Sequence, residues 1–282
     1  MLRDATSVAN SHPIFSFANG EMGPIANRFI RLVEIITGQP RIRKLYFDYV
    51  EDGRPAHNFW SDALGRLDIE IDLKREIHNG DYSAIPPTGP VLAIANHPYG
   101  VIDGLILCAL MAEVRQDYKI ITHRVLRQAP AVMDKILPID FDETKAALEN
   151  NLHSRAEAMR HLKAGGAVII FPAGAISLAP KLVGTAIDGR WKNFAAKLAE
   201  IPCTTTLPFY FDGRNSLLYQ IARRISVTLG YSLMFREICK MIGNTVTLHM
   251  RQPIKAESLA ALGSRAKITR YLRDCTYGTS KK

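Results

Sequence analysis

The stretch Val91-Leu92-Ala93-Ile94-Ala95-Asn96-His97-Pro98-Tyr99-Gly100-Val101-Ile102-Asp103 decides how this chain is read. Val91 to Ala95 is short and apolar, and it follows Pro86, Pro87, Gly89 and Pro90, so it predicts a buried strand. Gly104 to Val114 is longer, apolar and free of breakers, and it predicts a buried helix. A histidine and an aspartate therefore lie on the passage from a strand end to a helix start, where open α/β sheets bind their ligands. On one continuous helix His97 and Asp103 would sit about 600° apart around the axis, and on a strand roughly 20 Å apart. They meet only if the chain between them turns, and Pro98 and Gly100 supply a fixed and a free φ for that turn.

The flanks repeat this grammar. Ala167 to Phe171 is a second continuous apolar run, typical of a central parallel strand, and it ends in Pro172-Ala173-Gly174. Thr204 to Phe211 is a β-branched and aromatic strand closed by Asp212-Gly213-Arg214-Asn215; Pro208 inside it predicts an edge strand, a bulge or a strand start. Leu67 to Leu73 alternates strictly, as a half-buried strand does. Lys119 to Thr122 completes a β-α-β unit with the first strand and the helix from Gly104. Asp142 precedes a long helix with Leu148, Leu152, Ala156, Met159 and Leu162 on one stripe, ended by Gly165-Gly166. A helix is expected around Trp191 to Glu200, a strand over Thr245 to Met250 and a basic helix over Ser258 to Cys275. The expected fold class is α/β, a mostly parallel central sheet flanked by helices.

Two segments are amphipathic. Ile25, Phe29, Leu32, Val33 and Ile36 recur at helical spacing opposite Arg28 and Arg31, before Gly38-Gln39-Pro40. Leu217, Leu218, Ile221, Ile225, Leu229 and Leu233 do so across residues 215 to 242, with Arg223, Arg224 and Arg236. Each is either an ordinary packing helix or one that lies on a membrane surface. With 282 residues, 47% of them hydrophobic, the chain can bury one large core. The expected division is a loose arm at 1–23, a helix-and-strand segment packed on the core at 24–80, the main domain at 81–276 and a tail at 277–282. No apolar run is long enough to span a bilayer and residues 1–19 hold no signal-peptide core, which predicts a peripheral protein on the cytoplasmic side. Cys108, Cys203, Cys239 and Cys275 are far apart and suggest reduced thiols, with no metal-ligand spacing and no cofactor. A net charge of +9 attracts anionic partners or serves solubility; no zinc-finger spacing, RNP-like aromatic cluster or recognition helix supports nucleic acid.

If the three strands are parallel, their loops share one sheet edge. That edge would bring together His97 and Asp103, then Gly174 and Ser177, then Asp212, Arg214 and Asn215. A histidine oriented by a carboxylate can take a proton from a hydroxyl, the acid fixing its tautomer and stabilising the imidazolium. Neither Gly-x-Ser-x-Gly nor a cysteine signature is present, which argues for direct attack by a substrate hydroxyl over a covalent acyl-enzyme. Asp103 has a rival role as N-cap of a helix starting at Gly104.

Asn96-His97 through Asp103 resembles the first sequence block of the glycerolipid (lysophospholipid) acyltransferases. Ile136-Leu137-Pro138-Ile139-Asp140 resembles their second block, Phe171-Pro172-Ala173-Gly174-Ala175-Ile176-Ser177 their Phe-Pro-Glu-Gly-Thr-Arg-Ser block, and Ile201-Pro202 to Pro208 their last, all in order. Asn-His-Pro-aromatic-Gly together with Phe-Pro-Ala-Gly and Asp-Gly-Arg-Asn-Ser is most similar to the bacterial hemolysin-like branch. The resemblance implies an acyltransferase fold over residues 81–276 and an acyl-thioester donor, either acyl carrier protein or coenzyme A. It implies a lysolipid acceptor at an anionic membrane surface, His97 as base and Asp103 as its partner. Implied substrate-binding residues are Asn96, Gly100, Arg124, Phe171, Pro172, Gly174, Ser177 and Arg214. Three departures stand out: five residues separate His97 from Asp103 where the family has four, Ala173 and Ile176 replace the Glu and Arg that hold the acceptor's glycerol phosphate, and Phe141 replaces an arginine. A site poor in phosphate ligands suits an amino-acid lipid such as a lyso-ornithine lipid, with a lysophospholipid as the other acceptor. A lipid esterase, with water as acceptor, and a catalytically lapsed lipid-binding protein are the rival classes.

Overall fold

The computed structural model describes residues 15–18, 23–78, 81–82, 85–140 and 144–279. Most of the expected arm, the end of the tail, Phe141 and Asp142 fall outside them. The chain opens with three helices, α1 (Pro24–Ile36), α2 (Gln39–Glu51) and α3 (Phe59–Arg66), then β1 (Glu70–Arg75) and a small hairpin of β2 (Ile77–His78) and β3 (Asp81–Tyr82). There follow β4 (Val91–Ala95), α4 (Val101–Val114), β5 (Tyr118–His123), β6 (Ile136–Ile139), α5 (Lys145–Lys163) and β7 (Ala167–Ile170). Then come α6 (Phe194–Ala199), β8 (Thr205–Phe211), α7 (Leu217–Ile225), α8 (Val227–Ser232) and α9 (Met234–Met241). The chain closes with β9 (Thr245–Met250), β10 (Ile254–Lys255), α10 (Ala256–Leu259) and α11 (Arg265–Tyr277).

The main sheet runs β1-β9-β8-β4-β7-β5-β6, with β10 also paired to β8. β8, β4, β7, β5 and β6 are mutually parallel, β1 is parallel to β9, and β9 and β10 run antiparallel to β8. The expected α/β class, a mostly parallel sheet between helices, is what the chain adopts. β4 lies at its centre, and Val91, Leu92, Ala93, Ile94 and Ala95 are all fully buried. Period-two alternation explains how every residue of one strand is apolar. Val91, Ala93 and Ala95 face α3 and α4 with Trp60, Ile102 and Ile106, while Leu92 and Ile94 face α5, α6 and α11 with Leu162, Leu198 and Leu272. Each such aliphatic side chain contributes roughly 1.5–3 kcal/mol relative to exposure.

Several sequence expectations need correction. The strand expected over Leu67–Leu73 starts at Glu70, because Leu67 caps α3 and Asp68 takes φ 51°. β4, α4 and β5 do form the expected β-α-β crossover between parallel strands, with β7 inserted between the two. β8 is a central strand despite Pro208. Its pairing on that side changes from β10, opposite Thr205 and Thr206, to β9, opposite Phe209 to Phe211, so the missing N–H falls at the change of partner. Pro208 still accepts the Arg251 N–H through its carbonyl at 2.9 Å.

The long helix begins at Lys145, capped by Thr144, and its buried face is Ala147, Ser154, Ala158 and Leu162. Leu148 and Leu152 point to solvent, because Ala and Ser let α5 approach the sheet closely. Residues 215 to 242 form three short helices, α7 to α9, in place of one segment. The stripe of α1 is inverted: Ile30 and Glu34 are buried, whereas Ile25, Phe29, Leu32, Ile35 and Ile36 are more than half exposed. The closing segment splits into α10 and α11 around Gly263. Among the described residues no helix is long and apolar enough to cross a membrane.

Candidate active site

The ends of β4, β7 and β8 come together at one edge through direct hydrogen bonds. Asn96 is buried and grips the end of β8 in both directions: its amide donates to Phe211 O at 2.9 Å and accepts the Phe211 N–H at 2.7 Å. The Tyr99 hydroxyl donates to Asp212 O at 2.9 Å, and a Cβ on Gly213 would fall 1.7 Å from that hydroxyl, so only glycine fits there. Ser177 N–H donates to His97 O at 2.8 Å and ties the loop after β7 to the turn after β4.

The turn itself answers the spacing puzzle. Gly100 takes φ 73°, and a Cβ there would lie 2.8 Å from both Ile176 Cδ1 and Met234 Sδ. The helix starts at Val101, three residues earlier than the sequence suggests, so Asp103 stands in its first turn and is not its N-cap. Its Oδ2 accepts the Tyr99 and Gly100 N–H groups, both at 2.9 Å, and lies 3.0 Å from His97 Nδ1. Asp103 thus both caps and contacts the imidazole. The His97 ring stacks on Phe171 with centroids 3.9 Å apart, which holds its plane while Nδ1 faces the acid. The ring nitrogen approaches Oδ2 off the ideal hydrogen-bond direction. Burial pushes the Asp103 carboxyl up, and the His97 ring and the two backbone amides pull it back.

An open cleft lies over this pair. His97, Gly100, Val101, Phe171, Pro172 and Gly174 line it. An adjoining apolar cavity lies under α2 to α4, walled by Leu45, Tyr46, Phe59, Trp60, Val132 and Ile136. Residues common to both, among them Phe17, Val101, Thr122, Val125 and Met234, form their partition.

Of the residues singled out from sequence, His97, Asp103, Gly100, Phe171, Pro172 and Gly174 converge here. Asn96 and Ser177 are buried supports behind the surface. Arg124 is ion-paired with Asp140 at 2.9 Å and lies off the cleft wall, and Arg214 bonds the carbonyls of Leu182 and Gly184. Ile176 packs against Gly100 and Met234 in an apolar cluster, so the position that resembles an arginine is filled by core. The charged side chains on the wall are Arg155 and Lys192, which the sequence reading missed. Arg155 lies over the Phe194 ring at 5.6 Å, and Lys192 N–H is bonded to Pro172 O at 3.0 Å. His123 also lines the cleft, and burial pushes its imidazole down to about 4. Asp188 was missed as well: it is buried and accepts the His97 N–H at 3.1 Å. Among the described residues no cluster could hold a metal ion.

Neither a protein-family model nor a curated protein sequence matches the chain. Among solved structures the chain is similar to the 1-acyl-sn-glycerophosphate acyltransferase PlsC of Thermotoga maritima, with a TM-score of 0.50 and 16% identity over 90% of this chain and 87% of that one. At that identity the likeness establishes a shared α/β fold.

Proposed function

We propose that this chain is an acyltransferase that moves a fatty acyl group from an acyl-carrier-protein or coenzyme A thioester to a hydroxyl of a lysolipid. The observation that carries the reading is His97 Nδ1 at 3.0 Å from a fully buried carboxylate, at the floor of a cleft that adjoins an apolar cavity. Asp103 fixes the tautomer so that Nε2 takes the acceptor's proton as its oxygen attacks the thioester carbonyl. The tetrahedral oxyanion collapses, the C–S bond breaks, and the thiolate recovers the proton from His97. Gly174 N–H is already bonded to Phe171 O at 3.0 Å, so the free amides of the first turn of α4 stabilise the oxyanion. No acyl-enzyme forms in this scheme.

The apolar cavity suits the acyl chain. Arg155 and Lys192, with no carboxylate among the cleft's lining residues, favour an acceptor that carries an anionic group. Both the carboxylate of a lyso-amino-acid lipid and the phosphate of a lysophospholipid meet that requirement. The outward stripe of α1, together with exposed Leu217, Leu218, Ile221 and Ile225 on α7, supports attachment to a membrane surface. The test supplies palmitoyl-acyl carrier protein or palmitoyl-coenzyme A with lyso-ornithine lipid, lysophosphatidate or no acceptor, and follows thiol release and acylated product. Product is expected with at least one lipid acceptor, and His97→Ala should lose roughly 10²–10⁴-fold. Thiol release independent of acceptor would identify an esterase, and lysolipid binding without turnover a lapsed enzyme.

A further inference from the structure

His97 lies between two buried carboxylates, and the second has no place in the scheme above. Asp188 stands in the irregular passage between β7 and α6, only 4% exposed. Its Oδ1 accepts the His97 main-chain N–H at 3.1 Å and the Ser177 hydroxyl, and its Oδ2 accepts Trp191 Nε1–H at 2.7 Å. Its own N–H donates to the Tyr277 hydroxyl at 2.9 Å, and Arg273 donates to its carbonyl at 3.3 Å. Among the described residues no lysine or arginine side chain forms an ion pair with Asp188 or with Asp103. An uncompensated buried carboxylate is costly, so its surroundings must require an acceptor-only group. They do: three donors reach the two oxygens, and an asparagine would turn its NH₂ against at least one of them.

We infer that Asp188 is a positioning residue for His97, clamping its main chain from a passage tied to α11 while Asp103 holds its ring. The inference rests on the reading of His97 as the base. The Nδ1–Asp103 contact already lies off the ideal direction, so a small shift of the His97 backbone swings the ring out of line. Phe171 constrains the plane of the ring but not its rotation within that plane. Ser177 belongs to the same clamp, because its hydroxyl also receives the His97 N–H, at 3.2 Å.

Long-range ¹H–¹⁵N spectra of the histidine rings in the full chain test this without any substrate. The wild type should hold His97 in one Nδ1–H tautomer, and Asp188→Asn should mix the tautomers. An unchanged His97 ring signal in Asp188→Asn overturns the inference. In turnover with whichever lipid acceptor gives product in the assay above, Asp188→Asn should lower kcat roughly 10–100-fold with KM held within about twofold, as expected for misplacement of a catalytic group. Equal changes in KM and kcat would mean general loosening and would overturn it too. If Asp188→Asn does not fold, Tyr277→Phe removes only the hydroxyl under the Asp188 N–H, and an unperturbed His97 ring there overturns the inference. The ring spectra decide the role of Asp188 even if no lipid is acylated, so this failure is separate from failure of the acyl-transfer reading.

Discussion

Asp103→Asn separates the two duties of the residue on which the site turns. The wild-type carboxylate presents Oδ2 to His97 Nδ1 and to two backbone N–H groups at once. Asparagine has one acceptor oxygen. An oxygen standing where Oδ2 stands keeps the Tyr99 and Gly100 amides and faces Nδ1 as before, with the NH₂ group in the place of Oδ1, but it carries no negative charge to stabilise the imidazolium that forms when His97 takes a proton. The two backbone hydrogen bonds to that oxygen are kept, so the start of α4 is largely undisturbed. The catalytic loss should reach roughly 10²–10⁴-fold, or about 2.7–5.4 kcal/mol of transition-state stabilisation. Stability should shift the other way with pH. Burial raises the folded carboxyl above its unfolded value, so the folded state binds more protons between the two and wild-type stability falls as pH rises through that window. Asp103→Asn lacks this loss, and its melting temperature relative to wild type should improve from acid to neutral pH. The assay is thiol release from palmitoyl-coenzyme A with acceptor present, alongside thermal melts across pH. Turnover within about threefold of wild type would refute the assignment and leave Asp103 as a helix cap.

Gly100→Ala forces φ 73° on a residue with a Cβ and drives that atom to 2.8 Å from Ile176 and Met234, so a loss of about 1–3 kcal/mol is expected in denaturant melts, with reduced turnover. His123, pushed down to about 4, stays neutral in the fold while the unfolded chain protonates near 6.5. Its contribution is therefore lost as pH falls from 6.5 towards 4, and His123→Asn, which can still accept the Val125 N–H, should flatten that acid-side decline in a melt series. Ile25→Glu with Phe29→Glu on the exposed face of α1 should lower recovery with floated anionic vesicles while leaving the melting temperature unchanged, and undiminished recovery would exclude α1 as the contact.

The centre of the fold was legible in the sequence because its code is local. β4 and β7 are buried on both faces and so are apolar at every position, which identifies them without any knowledge of partners. The His97 and Asp103 pair was legible because proline and glycine write the turn into the chain. Burial facing was less legible. In α1 the large apolar residues point outward, and in α5 Leu148 and Leu152 do, because a helix side is chosen by what packs on it and Ala147, Ser154 and Ala158 allow the closer approach. Pro208 misled for a related reason: its missing N–H is harmless where the neighbouring strand changes, and that junction comes from residues far along the chain.

By itself, then, the sequence determined an α/β chain, its central strands, and a histidine and an acid on one turn, since alternation, helical period and turn chemistry all act over a few residues. Tertiary structure decided the rest of the site. Asp188 lies in an irregular passage with no periodic signal, Lys192 just ahead of α6 and Arg155 on α5, yet packing of α11 and α5 carries them to His97 and its cleft. Arg124 and Arg214, attractive by position, are drawn to Asp140 and to loop carbonyls. Electrostatic partners are set by distance in space, and distance in space is what a linear pattern does not encode.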